Sequence, residues 1–589
     1  VNKQENTSTQ DSLVASQLGG ASIRIDGKAA VNLDSTDLDA RQGPLDINGK
    51  SVRLGAQSSS EQHTSVTSRS AGGLGVNGGI DRVGAGYEGA YNRKERDERV
   101  VDSRPTTLKA SGDVRITAES LVNEAAKVST GQQLLVDAAQ VENRATANVR
   151  ETRESESNWQ GNLGLSVDYR DITRPIERLV TGNEAARFQQ ASLEDAFVPP
   201  TVGVELGLEH FNRQQTNRNE TAQVSELSGA GVKVVADTLS DTGTQYRADN
   251  GTVQIDATRH QLLAAQDSSS ETVERLDAGG TLRVETSTGH DIAVKATGKG
   301  GSLSSSDTRV VARPGSLYGQ QGIQIQLGSD GLYEGTAMDA GKGDLSIEAG
   351  GSLTLAQAND RQERHSRQLD GNAWLKGGNN PLGSALEARA YADQKRSDSQ
   401  DSQARVASLD GEGEIRLKAG GAMTLTGTRI GNEQVVPEKI QVGADGPLRI
   451  LAASDSHEAS GNNLGGGGEV VFRKNGAGQG GGLGGHFSNG RVSESDQTAH
   501  GAVFTAKTSV DLSSQARQED AIHLQGLKAS AEQVNVAAPN GGVLVESASS
   551  SERRDNLELT VGAGYGVTPA AAPALHLRRL TAFQDGAVA

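Results

Sequence analysis

Apolar and polar residues alternate along much of this chain, in short runs bracketed by glycine. "GDVRITA" (112–118), "GTVQIDA" (251–257), "GTLRVET" (280–286), "GDLSIEAGGSLTLA" (343–356), "GEIRLKAGGAMTLTG" (413–427), "GPLRILA" (446–452) and "GGVLVES" (541–547) place apolar residues at every second position. That period marks a strand buried on one face. The runs at 343–356 and 413–427 share the frame G-[DE]-[LI]-x-[IL]-x-A-G-G-x-[LM]-T-L, too long an agreement for chance. A one-faced strand cannot fold alone. Stacked on a copy ~4.8 Å away, it completes both its hydrogen bonds and its core. Glycine at the corners suits a chain that turns with positive φ. The pattern predicts a parallel β-solenoid.

A longer period lies above the rungs. Six times a strand runs into a polar stretch: "LGAQSSSEQHTS" (54–65), "VDAAQVENRATA" (136–147), "LAAQDSSSETVE" (263–274), "LAQANDRQERHS" (355–366), "LAASDSHEASGN" (451–462) and "VESASSSERRDN" (545–556). Aligned on Ala56, Ala139, Ala265, Ala356, Ala453 and Ser547, they recur at 83, 126, 91, 97 and 94 residues. Most lead into a Gly-rich alternating segment and a charged return, which predicts that the chain leaves the coil, makes a hairpin and comes back. The expected organisation is a polar lead-in at 1–19 and a continuous solenoid over 20–575. Its hairpin excursions fall near 58–108, 148–225, 361–405, 456–505 and 551–575, and 576–589 is a tail or truncated continuation. The third junction, near 271–300, is degenerate and reads as coil that simply continues. At roughly 20 residues per coil, the rod would have some 17 rungs and a length of ~80 Å.

The excursions hold most of the aromatics. In "VGAGYEGAY" (83–91), Tyr87 and Tyr91 share a face. In "NWQGNLGLSVDY" (158–169), Trp159, Leu163, Leu165, Val167 and Tyr169 do so, answered by Val202, Val204, Leu206 and Leu208 in "TVGVELGLEHF" (201–211). In "LELTVGAGYGV" (557–567) the same holds for Leu557, Leu559, Val561 and Tyr565. Between the second and third of these segments, "RPIERLVTGNEAARFQQASLEDAF" (174–197) predicts one short helical insert, with Pro175 at its first turn. Two arrangements fit the strands. Their apolar face packs on the solenoid or on the next hairpin, or it faces a membrane or partner. Strands of 9–11 alternating residues with aromatic ends are what a membrane-crossing barrel uses.

Composition narrows the chemistry. The chain of 589 residues is 34% apolar and 3% aromatic, with 74 glycines and a net charge of −17. A thin, repeating core reconciles that low apolar share with strict alternation. Acidity argues against nonspecific nucleic-acid binding, and the absence of cysteine excludes disulfides and thiolate metal sites. No basic leader with an apolar core opens the chain, no run of 18 apolar residues spans a bilayer, and the abrupt start and stop read as those of a piece of something longer. "GAGYEG" (84–89) has dinucleotide-motif spacing but lies inside an alternating strand, and "ATGKGG" (296–301) lacks the hydroxyl of a phosphate loop. "GGGLGGHF" (480–487) has no Asp in a calcium-repeat register. Glu154 and Glu156 alternate onto one charged strand face, and His260, His365 and His457 have no metal-ligand spacing. The expectation is no enzyme, no cofactor, no metal and no small-molecule substrate. The outward rung positions lack the clustered Asp and basic residues of a β-helix lyase groove.

With the AGG rungs, the "AQSSSE" and "ASSSER" exits, and "GIQIQLGSDGLYEGTAMDAGKGDLSIEAGGSL" (322–353), residues from about 20 to 570 resemble the haemagglutinin-repeat region. That region belongs to filamentous haemagglutinins and contact-dependent growth inhibition exoproteins of two-partner secretion. The resemblance implies a right-handed parallel β-helix, secreted to the bacterial cell surface through an outer-membrane transporter that recognises a part not in this chain. It implies a role in contact-dependent toxin delivery, with hairpins engaging a target-cell outer membrane, or alternatively an adhesin stalk that meets a host-cell receptor. Nucleic acid is not an expected partner. Neither the secretion domain nor a terminal toxin is visible, and "VEN" at 141–143 lies inside a rung.

Overall fold

In a computed structural model, which describes residues 1–78, 82–168, 201–287, 289–380, 383–475, 478–568 and 571–588, the short alternating runs are rungs with three faces. One rung comprises Ser316–Gly319, Gly322–Leu327 and Gly331–Glu334. In the first half of the rod the second and third faces run through one longer strand, as in Leu45–Gly55 and Val253–Leu263. Rungs pair in parallel and in register, so like positions stack. Val253 lies beside Ile323, followed by Leu345, Ile415, Ile440 and Val510. All six are at most 2% exposed, and each such side chain contributes roughly 1.5–3 kcal/mol by leaving water. The stacked parallel sheets are those of a β-helix.

A second structure grows from this rod. Thirteen strands form one antiparallel sheet, here called the wing. It begins with Asn2–Asp11 and continues as six antiparallel pairs: Gln57–Gly78 with Arg82–Arg104, Thr146–Asp168 with Thr201–Gln223, Ala265–Thr286 with Ile292–Arg313, Ala358–Asn380 with Gly383–Arg405, Ala453–Asn475 with Gly478–His500, and Ser551–Thr568 with Ala571–Val588. Neighbouring pairs also hydrogen-bond to each other. Between one pair and the next the chain makes two rungs.

A single corner decides whether a rung continues or leaves the rod. In rungs that continue, the third face ends at Ser35, Ala125, Gly243, Gly335, Gly427 or Gly526, all with φ between 50° and 67°. The backbone N–H of each donates to the last carbonyl of the next rung, as Gly243 does to Leu263 at 2.8 Å and Gly335 to Ala356 at 2.8 Å. The next rung goes straight on at that level and becomes a wing strand. Alanine at the exit leaves room for the glycine corner beneath it: a Cβ on Gly243 would come within 2.7 Å of both the Ala265 Cβ and Val224 Cγ1.

Several expectations change. The first faces form a twelve-stranded sheet, so the rod has twelve rungs rather than seventeen, about 53 Å of axis at ~4.8 Å per step. The missing coil is wing: residues 265–313, read as continuing coil, are an antiparallel pair in register from Ala265 opposite Arg313 to Glu285 opposite Ala293. The run at 280–286 alternates as a rung does and was read as one, but Leu282 and Val284 face outward from a wing strand. The polar lead-in contains a wing strand, Asn2–Asp11, and the tail belongs to Ala571–Val588. The second exit lies at Ala145, six residues beyond the Ala139 used for alignment, because Val141 and Asn143 still point into the rod. The helix expected at 174–197 lies outside the described residues, and no described residue is helical.

Gly243→Ala should lower the unfolding free energy by about 1–3 kcal/mol, because it adds positive-φ strain to a steric clash. Gly298→Ala, in a wing strand where a Cβ meets nothing within 4 Å, should change it by less than about 0.5 kcal/mol. Parallel denaturant melts of the two variants measure the difference.

Candidate functional site

Directly paired residues in an antiparallel sheet share a face, so register alone sorts the wing's side chains. One row, two residues from the next along each strand, runs Leu74, Tyr87, Leu163, Leu206 and Leu282, and on through Leu375 and Val470 to Leu483 and Tyr565. The row on its outer side includes Val76, Leu165, Val204, Val284, Val294, Leu386 and Phe472. All lie on the same face, in the half of the wing away from the rod. Tyr91, Trp159 and His210 line up at its inner limit, with the Trp159 and His210 rings stacked at 4.0 Å. Four residues nearer the rod, this face carries Glu95, Ser155, Gln214, Glu274, Arg367 and Arg396 instead.

The structure brings the candidate residues of four separate segments onto this one surface. Tyr87, Tyr91, Trp159, Leu163, Leu165, Val167, Val202, Val204, Leu206, Leu208, Leu557 and Tyr565 are 37–60% exposed. Leu559 and Val561 share the face but are half-buried, and Tyr169 lies outside the described residues. The apolar face does not pack on the solenoid. Sequence reasoning missed Leu282, Val284, Ile292, Val294, Leu483 and Phe487, which are also exposed. Strands here carry only two or three large apolar residues among Gly, Ala and Thr, and the surface becomes continuous only once they are placed side by side.

On Ala265–Thr286 burial is inverted. Leu282 and Val284 are 45% and 44% exposed, whereas Arg283 and Glu285, on the opposite face, are 4% exposed. That opposite face is neutralised by ion pairs. Arg283 Nε meets Glu285 Oε2 at 2.8 Å, Lys295 Nζ meets Glu285 Oε1 at 2.6 Å, Lys299 Nζ meets Glu209 Oε1 at 2.8 Å, and Arg389 Nε meets Glu469 Oε2 at 3.0 Å. The outer wing is therefore an amphipathic sheet with its apolar side to the surroundings.

At the base of the wing, five side chains repeat one contact. Asn148, Asp267, Asp360, Asp455 and Ser550 each stand one residue beyond the last backbone pairing with the preceding pair. They accept the N–H of Ser103 (2.8 Å), Ala222 (2.7 Å), Ala312 (2.9 Å), Ala404 (2.7 Å) and Ala499 (3.1 Å), respectively. Asp360 and Asp455 also bind Arg405 Nη2 and His500 Nε2, both at 2.7 Å, at the foot of their own pair. The clip extends the ladder by one bond where the backbones diverge. Its signal was visible: each clip residue follows the last rung residue by four positions, and all but Asn148 lie inside the polar exit stretches.

The remaining polar cluster of note lies inside the rod. Asp241 accepts hydrogen bonds from Asn143 (2.5 Å) and Tyr246 (2.8 Å) and faces His260 Nε2 at 2.9 Å, while His260 Nδ1 meets Tyr333 Oη at 3.0 Å. All five residues are at most 1% exposed. Burial, reinforced by the Asp241 charge, pushes both phenols above the usual tyrosine range. The cluster is sealed in a core column, where it pairs its polar groups except the Asn143 Oδ1. Among the described residues, no three His, Asp or Glu side chains converge as a metal site requires. No described helix is long and apolar enough to cross a membrane, a test that does not bear on strands.

A family profile described as hemagglutinin repeat matches residues 87–183, 206–371 and 389–561. A protein named hemolysin from Serratia marcescens is 29% identical over 570 residues, 95% of this chain and 35% of the relative. Another named hemolysin, from Proteus mirabilis, is 25% identical over 581 residues, 95% of this chain and 36% of the relative. The chain thus spans about a third of the length of these relatives. No solved structure matches it.

Replacing Asp455 by Ala removes the acceptor of the Ala404 N–H. Hydrogen exchange at that amide should accelerate about tenfold or more, as expected for a lost charge-assisted bond worth about 1.5–3 kcal/mol. Exchange at Val442, deep in the rod, should stay unchanged.

Proposed function

We propose that this chain, which belongs to the hemagglutinin-repeat family, is a non-catalytic segment of a large secreted two-partner exoprotein whose wing enters a target cell's membrane. The inverted burial on Ala265–Thr286 carries the proposal: Leu282 and Val284 face outward while Arg283 and Glu285 are shielded. A strand facing lipid on one side and polar groups on the other has that pattern. The apolar stretch from Trp159 to Val167 is nine residues, ~30 Å at ~3.4 Å per residue, which matches the hydrocarbon thickness. Tyr91, Trp159 and Phe487 stand at its inner limit, where the interface would lie. Between its two edges the wing's strands are hydrogen-bonded on both sides, as lipid demands of a backbone. Entry into lipid further requires that the edges at Gln57–Gly78 and Ala571–Val588 be closed by pairing with another strand. The relatives' name, hemolysin, favours a membrane over a protein receptor as what the face meets. Delivery of a toxin through contact with another bacterium's outer membrane fits this role, with the rod as the carrier.

Flotation with vesicles of outer-membrane lipid tests the proposal. Wild type should float with the vesicles. Leu165→Lys with Val167→Lys should lose at least tenfold in partitioning, because each lysine costs about 2–4 kcal/mol near the bilayer midplane. The two side chains are 60% and 37% exposed, so the melting temperature should barely move. Wild type left in the aqueous fraction would point instead to an adhesin stalk with structural ribs and would sink the membrane role.

A further inference from the structure

The apolar face of the wing has relief that a bilayer does not require. Immediately inside the Leu163–Leu206–Leu282 row runs a parallel row, two residues nearer the rod, from Gly72 to Ala563. Every member of it is Gly or Ala except Leu208. Gly89, Gly161, Gly280, Gly298, Gly468 and Gly485 belong to it. Glycine in a strand sacrifices packing and backbone entropy, and it commonly marks the close approach of another surface. A lipid-facing sheet gains by filling these positions with apolar side chains. A ridge from another protein surface gains by finding them empty, as Gly298, Gly468 and Gly485 are, whereas Tyr87 and Leu208 already lean over Gly72 and Gly161.

We propose that, in water, the wing is covered by the wing of a second copy, face to face, each ridge seated in the other's groove. Ridge and groove lie two residues apart, ~6.8 Å along the strands. A twofold axis midway between the rows and parallel to them exchanges one for the other. A single self-complementary contact then sets a large side chain over a Gly or Ala at eight of the eleven levels, the exceptions being those of Leu206 with Leu208, Ala296 with Gly298 and Ala388 with Ala390. The same rotation reverses the strand direction. The charged inner halves then extend to opposite sides, and the two rods lie parallel on the outer flanks. With that axis the two apolar bands overlap over about seven residues of depth across eleven strands, roughly 1,250 Å² per copy at the spacings of a sheet. That exceeds the ~800 Å² per partner of a standard stable interface. The inference uses the face that the membrane proposal uses but not that proposal itself.

Sedimentation velocity of the whole chain from roughly 0.1 to 10 µM, a range that brackets micromolar affinity, tests it with two variants. The first combines Gly298→Leu, Gly468→Leu and Gly485→Leu. Added Cβ atoms there meet nothing within 4 Å, the Gly484 carbonyl at 3.6 Å and the Gly467 carbonyl at 3.5 Å, respectively, so the monomer accommodates them. The second is Leu165→Lys with Val167→Lys. Wild type should sediment as a dimer. The groove-filled variant should be at least tenfold weaker in self-association while floating with vesicles as well as wild type or better. The lysine variant should lose both properties. A wild type that is monomeric throughout, an open-ended aggregate, or a groove-filled chain that dimerises as well as wild type would overturn the pairing. Vesicle binding by such a monomer would leave the membrane role standing, and a dimer that ignores vesicles would sink that role alone.

Discussion

The structure depends on one spacing. Parallel rungs and antiparallel wing strands are both held ~4.8 Å from their neighbours by the same backbone hydrogen bond. Each repeat lays down two rungs and then two wing strands, so rod and wing both advance ~9.6 Å per repeat. Any other ratio would shear the sheet from the rod within a few repeats. One rung per pair would make the wing outrun the axis; three would open a gap between pairs that no hydrogen bond spans. The recurrence of exits at intervals above 80 residues follows directly: two turns of coil plus two strands of about 22 residues. The corner glycines and the base clips are the local devices that enforce the ratio. A positive φ keeps alternate rungs on the rod, and the clip ties each new pair to the last where backbone pairing lapses.

The two sheets use one alphabet to opposite ends. In the rod, alternate residues are buried because the coil closes around them, as with Ile255, Ile325, Ile347 and Leu417 in one column. In the wing none of the described residues closes over the apolar side, and the alternation that would make a core makes an exposed face. Where the sheet leaves the rod, that face is polar, with Glu274, Arg367 and Arg396 among its residues. The change from charge to leucine along a single strand divides a soluble support from a surface in need of cover, and exposed apolar patches of this extent mark sites of contact.

Much of the rod was legible because each rung carries its own evidence: a period of two, inward Leu, Ile and Val, and glycine at corners. The frame shared by 343–356 and 413–427 recurs because in-register stacking demands like residues at like positions, and Leu345 does lie beside Ile415 and Leu353 beside Met423. The wing was legible only where one strand carried enough apolar residues by itself, as at 158–168. The 265–313 pair was not, since its row positions hold Gly280, Ala296, Gly298 and Gly300 and its apolar level is completed by Leu206 and Leu375 on the flanking strands. The groove was invisible for the same reason: scattered glycines read as loop chemistry until register sets them in a line. Asp267, Asp360 and Asp455 stood in aligned stretches, yet their task depended on a backbone some 50 residues earlier.

Register also explains how so long a chain specifies so large a sheet. Each wing strand touches only the strands on either side, and each rung only the rungs above and below, so stability accumulates by nearest neighbours. The clips span 45 to 51 residues and the buried bond from Asn143 to Asp241 spans 98, about one repeat. A repeat therefore folds on the one before it and offers the next a finished edge. The apolar face widens by two strands with each repeat. Cover for that face must then be extensible in steps of ~9.6 Å. A bilayer meets that requirement, and so does a second wing growing in the same direction beside the first.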